Sequence, residues 1–146
     1  MEKRIFALYG VSNVGKSTTL RLIAQEIMRQ FPAAVSSMPL DPLPEGDIVV
    51  IILVGKVKIG ITTQGDPSTG LYQRLKDLFT DDCSIIFCAT RTSGDTIKNV
   101  EDMEKNNGYK TTWVTNYQSG YPEDRSILNQ RSAEDLVRLM RGFCKI

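Results

Sequence analysis

Residues Gly10 to Ser17 read Gly-Val-Ser-Asn-Val-Gly-Lys-Ser, between an apolar run, Arg4–Tyr9, and a helical pattern that begins at Lys16. That order constrains the chain more than any other feature. A strand that ends in glycine and turns at once into a helix sets a helix N-terminus at the edge of a sheet. The first amides of that helix lack partners within it and carry partial positive charge. Glycine lets the backbone approach a bound group with no Cβ in the way. The helix that follows has Leu20, Ile23, Ala24, Ile27 and Phe31 at three- and four-residue spacing, and Pro32 closes it.

Strand and helix patterns go on alternating. Met38–Asp47, with Pro39, Pro42, Pro44 and Gly46, reads as a loop. Ile48–Val54 and Val57–Thr63 are strand runs separated only by Gly55-Lys56, too short a link for a parallel crossover, so they form an antiparallel hairpin. Asp66-Pro67 looks like a helix start, and Leu71, Leu75, Leu78 and Phe79 give that helix an apolar face. Ser84–Thr90 is a further strand. Asp95–Asn107 is a helix with Ile97, Val100 and Met103 on its inner side, and Thr111–Thr115 is a strand around Trp113. The last helix is expected to open at Ser132-Ala133-Glu134-Asp135 and to bury Ala133, Leu136, Val137, Met140 and Phe143. The pattern predicts one α/β domain over residues 1–146, with a mostly parallel central sheet, one antiparallel strand and helices on both faces.

Composition removes several classes of function. The chain has 146 residues and no histidine, which excludes His-based catalytic triads and His-ligated metal sites. Cys83, Cys88 and Cys144 form no CxxC pair and fit a reducing, cytoplasmic setting. With 18 basic and 17 acidic residues the net charge is +1, which gives no strong signal for nucleic acid. The longest aliphatic run, Ile48–Val54, is seven residues, against about 20 for a membrane span. The apolar stretch after Glu2-Lys3-Arg4 is too short for a signal peptide.

The Gly10–Ser17 octet matches GxxxxGK[ST], and its strand–loop–helix setting resembles the P-loop NTPase superfamily. The resemblance implies a three-layer P-loop NTPase-like fold that binds Mg²⁺ and a nucleoside triphosphate. Gly10, Ser12, Asn13, Val14, Gly15, Lys16, Ser17 and Thr18 would contact the phosphates. Lys16 would reach the β- and γ-phosphates, and Ser17 would offer its hydroxyl to Mg²⁺. Members usually place an Asp at the end of a strand beside the loop strand, to hold the metal through water. Asp66 and Asp47 are the two candidates, both expected at the C-terminal edge of the sheet, where ligands bind in open α/β folds. Asp66 also fits a helix N-cap, and Asp47 a turn. Arg91, after another strand, could neutralise charge on a transferring phosphoryl group, or simply lie on the surface.

The element order and Asn13-Val14-Gly15-Lys16-Ser17-Thr18 also resemble a small GTPase domain, with Ala33–Gly46 at the first switch position and Gln64–Gly70 at the second. The chain departs from that family at Asp66-Pro67-Ser68-Thr69-Gly70, one residue longer than DxxG. It departs again at Thr115-Asn116-Tyr117-Gln118-Ser119, which has the Asn but neither the Lys nor the Asp that would read guanine. ATP, or loose specificity among nucleoside triphosphates, is therefore expected. Asp124-Arg125-Ser126 and Arg131 resemble a short motif of nucleoside and nucleotide kinases, but read better as an exposed charged loop. Tyr109, Trp113, Tyr117 and Tyr121 could stack on a base or pack a sheet edge. The expected activity is slow NTP hydrolysis with Lys16, Asp66 and Arg91 as catalytic residues. The alternatives are a small-molecule or nucleotide kinase, and a non-catalytic nucleotide-dependent switch whose Pro39–Pro44 loop is read by a protein partner.

Overall fold

The structure is a computed structural model and describes residues 2–10, 15–64 and 70–146. In chain order the elements are β1 (Arg4–Tyr9), α1 (Lys16–Gln30), β2 (Val35–Ser36), β3 (Val49–Val54), β4 (Val57–Thr62), α2 (Leu71–Thr80), β5 (Ile85–Thr90), α3 (Asp95–Asn107), β6 (Lys110–Val114) and α4 (Arg125–Cys144). The strands form one six-stranded sheet in the order β2-β3-β4-β5-β1-β6. β4, β5, β1 and β6 pair in parallel, while β3 runs against both β2 and β4. The hairpin expected around Gly55-Lys56 is present, with Val54 opposite Val57 and Val49 opposite Thr62.

Alternation along the strands divides the core into two layers. On one face Phe6 and Leu8 of β1 and Ile85, Phe87 and Ala89 of β5 meet Leu20, Ile23, Ala24 and Ile27 of α1 and Ala133, Val137 and Met140 of α4. On the other, Ile5, Ala7, Ile86 and Cys88 meet Leu71, Leu75 and Leu78 of α2 and Val100 and Met103 of α3. Helices thus cover both faces. β5 is buried at every position and β1 at its four central ones, which suits strands covered on both sides. At Gly60 of β4 an added Cβ would come within 2.7 Å of Leu78 Cδ2 and 3.1 Å of Cys83 Sγ, so glycine is what lets α2 lie this close to the sheet.

Three details differ from the sequence expectation. β2 is a two-residue edge strand that no periodicity could mark, being held by pairing with Leu53 and Ile52. α4 begins at Arg125, not Ser132, after a short 3-10 turn at Pro122–Asp124. Ser132 lies inside the helix, where its hydroxyl donates to Leu128 O and accepts from the Tyr117 amide. Phe143 is 44% exposed, its ring tilted against that of Phe6 at 6.1 Å with the Arg4 guanidinium over it. The described part of α2 begins at Leu71 behind Gly70, and the expected start at Asp66-Pro67 lies outside the described residues.

Candidate functional site

The site follows from where the chain crosses the sheet. β1 is followed by α1 on one face, and its neighbour β5 is followed by α3 on the opposite face. Adjacent parallel strands whose connections leave on opposite sides open a crevice at their C-terminal ends, the topological switch point where open α/β sheets bind ligands. Of the parallel neighbours here, β1 and β5 make that crevice, because α4 after β6 returns to the face of α1.

Lys16 spans the crevice. Its Nζ donates to Gly10 O at the end of β1, at 2.6 Å, and to Thr90 O at the end of β5, at 2.5 Å. Thr90 O also accepts from the Gly10 amide, at 3.2 Å. The side chain is only 8% exposed. A buried ammonium is costly unless well compensated, and a backbone carbonyl offers partial charge where a phosphate offers full charge.

Gly15 precedes α1 in the left-handed region, at φ +87, and no acidic residue occupies the first turn of the helix. The amides of that turn and the Lys16 ammonium therefore add positive potential with no carboxylate among the first-turn residues to offset it. An added Cβ at Gly15 would fall 2.6 Å from Asn129 Oδ1 and 3.2 Å from Asn116 Nδ2. Both asparagines are buried, and Thr19 Oγ1 donates to Asn129 Oδ1 at 3.3 Å.

Arg21 joins this turn to the loop before β3. It donates to Thr18 Oγ1 at 3.1 Å and to Gly46 O at 2.8 Å. Asp47, next to that carbonyl, is exposed at the same sheet edge and accepts from Thr63 Oγ1 at 3.0 Å, which in turn accepts from the Ile48 amide. Arg91 follows β5 directly, with its amide donating to Thr96 Oγ1. Ser12, Asn13 and Val14 lie outside the described residues, as does Asp66.

β1 lies between β5 and β6, and β4, which precedes Asp66 in the chain, pairs with the far side of β5. β5, buried at every position, lies between β1 and β4. At the end of β5 stands Thr90. Its hydroxyl is fully buried and without a hydrogen-bond partner among the described residues, as is that of Thr62 at the end of β4.

Thr90, Asn116 and Asn129 are the site residues that the sequence reading left without a role. For Asn129 a signal did exist, because it stands four residues before Ala133 on the apolar stripe of α4, where an amide is out of place.

The loop after β6 is stapled to α4. Tyr117 donates its amide to Ser132 Oγ and its hydroxyl to Asp135, and the Asp135 hydrogen bond and charge hold the phenol above its ordinary pKa. Trp113 and Tyr9 meet edge to face at 6.3 Å on the β6 side of the sheet, whereas Tyr109 is buried with its hydroxyl on Cys83 O. Among the described residues there is no cluster of three or more His, Cys, Asp or Glu side chains placed to hold a metal, and no helix is long and apolar enough to cross a membrane. Searches of protein-family models, of curated proteins and of solved structures each return no match.

Proposed function

We propose that this chain is a P-loop NTPase-like protein that binds Mg²⁺ and a nucleoside triphosphate, ATP by preference, and cleaves the β–γ phosphate bond slowly. The observation that carries this reading is the Lys16 ammonium lying across the β1–β5 crevice, on Gly10 O and Thr90 O, at the N-terminus of α1. A triphosphate entering there would exchange carbonyl partners for anionic oxygens, with the first-turn amides beside it.

The donors fit a hard cation. Ser17 and Asp47 offer oxygen at this edge, and Asp66 would add a second carboxylate. When bound, Mg²⁺ supplies neutralisation of the phosphate charge. Ser17 would hold it directly and Asp47 or Asp66 through water, while Lys16 would orient the phosphates and Arg91, which follows β5, would neutralise charge on the transferring phosphoryl group. The missing guanine-reading carboxylate after Asn116 supports ATP over GTP.

A kinase reading is favoured by one feature. A groove of about 480 Å³ opens between the N-terminal ends of α2 and α3, at the same sheet edge, lined by Tyr72, Asp95, Lys98, Asn99 and Asp102. It offers hydroxyl, amide and both charges to an acceptor. Product analysis with γ-labelled ATP separates the two. Label released as inorganic phosphate, with or without small acceptors, supports hydrolysis, and label retained on an added nucleoside or sugar supports transfer. ATP left intact by a chain that binds it would overturn both in favour of a nucleotide-dependent switch.

A further inference from the structure

We infer that Asn129 on α4 is a positioning residue for Gly15 and the first turn of α1, so that the last helix of the chain sets the affinity of the phosphate site. The inference rests on the nucleotide reading for its consequence, and on geometry alone for the contact. Asn129 Oδ1 sits where a side chain on Gly15 would be, 2.6 Å from the Cβ that glycine lacks. The same oxygen accepts from Thr19 Oγ1, one turn into α1, at 3.3 Å, and lies 3.5 Å from Asn116 Nδ2. One amide therefore touches the residue before the helix, the first turn of the helix, and the loop that leaves β6.

An amide on the apolar stripe of α4 costs free energy unless its hydrogen bonds are met. Its companions on that buried face, Ala133, Val137 and Met140, are all apolar. What the amide adds is a polar contact with Gly15 and Thr19. Gly15 is held at φ +87, and the direction of the Lys16 side chain and of the next amides follows from it. A site fixed before the ligand arrives loses less entropy on binding. With alanine at 129, Thr19 loses its partner and Gly15 its backing, while the helix itself keeps an excellent helix former.

The test uses the full chain and two readouts. The first is a double-mutant cycle on thermal stability without nucleotide. Gly15→Ala should lower Tm markedly, through its positive φ and its clash, and should lower it much less when Asn129 is already alanine, since the clash is gone and only the strain remains. Additive effects would overturn the contact. The second is titration with Mg–ATP. Asn129→Ala should weaken binding about tenfold, the scale of one lost buried hydrogen bond. Met140→Ala, three turns further along the same buried face, should lower Tm by more and leave affinity unchanged. Equal losses of affinity in the two variants, or none in Asn129→Ala, would reduce Asn129 to a structural role. Failure of the wild type to bind Mg–ATP would overturn the nucleotide reading, and the cycle would then still decide whether Asn129 positions Gly15.

Discussion

Thr90 is where single atoms matter most. Its carbonyl holds both the Gly10 amide and the Lys16 ammonium, while its hydroxyl, fully buried, has no hydrogen-bond partner among the described residues. An unpaired buried hydroxyl costs on the order of 1–3 kcal/mol. Thr90→Val keeps the branched shape and the backbone and removes that cost. Urea unfolding should show a gain of about 1 kcal/mol. Phosphate release under saturating ATP should fall in the same variant if the hydroxyl faces the reacting water or phosphate, with nucleotide affinity little changed. A loss of stability would mean that the hydroxyl is satisfied in solution.

Among the elements, α2 approaches β4 closely through Gly60. Gly60→Ala should destabilise by about 1–3 kcal/mol, the cost of forcing a methyl group into Leu78 and Cys83. An unchanged denaturation midpoint would show that α2 shifts freely. Most elements were legible in the sequence because each shows one strong period. The 3.6-residue stripe of α1, the β-branched run of β3 and the N-terminal and C-terminal signals of α3 all lie where the structure has them. β2 and the first two turns of α4 were not legible. A two-residue edge strand exists only through its partner, and the turns from Arg125 carry charge outward with Ile127 exposed, so no apolar stripe announces them. The same distinction holds at the site. Lys16 announces itself by its neighbours in sequence, whereas Thr90 and Asn129 come to Gly10 and Gly15 only through the strand order and the packing of α1 on α4.

For the molecule as a whole, the two-faced burial of the central strands shapes its chemistry as well as its stability. Burial pushes the Cys83 thiol up to about 11, with the Asp81 charge adding to it, and the Cys88 thiol up to about 12. Below pH 9, the ordinary range for a thiol, folded and unfolded chains both keep these protons and stability does not depend on them. Between about 9 and 12 the unfolded chain releases protons that the folded chain retains, so stability falls as pH rises. Urea midpoints should decline above pH 9, and more gently in Cys88→Ala. A flat profile to pH 10.5 would contradict the burial of these thiols.

The nucleotide claim itself is tested most directly by equilibrium binding of fluorescent ATP and GTP analogues, with and without Mg²⁺, to the wild-type chain and to Lys16→Ala. The account predicts Mg²⁺-dependent binding that favours ATP and falls at least about tenfold in the variant, the scale of one charge-assisted hydrogen bond lost from a buried site. Absence of binding to either nucleotide, or equal binding by the wild type and Lys16→Ala, would contradict it.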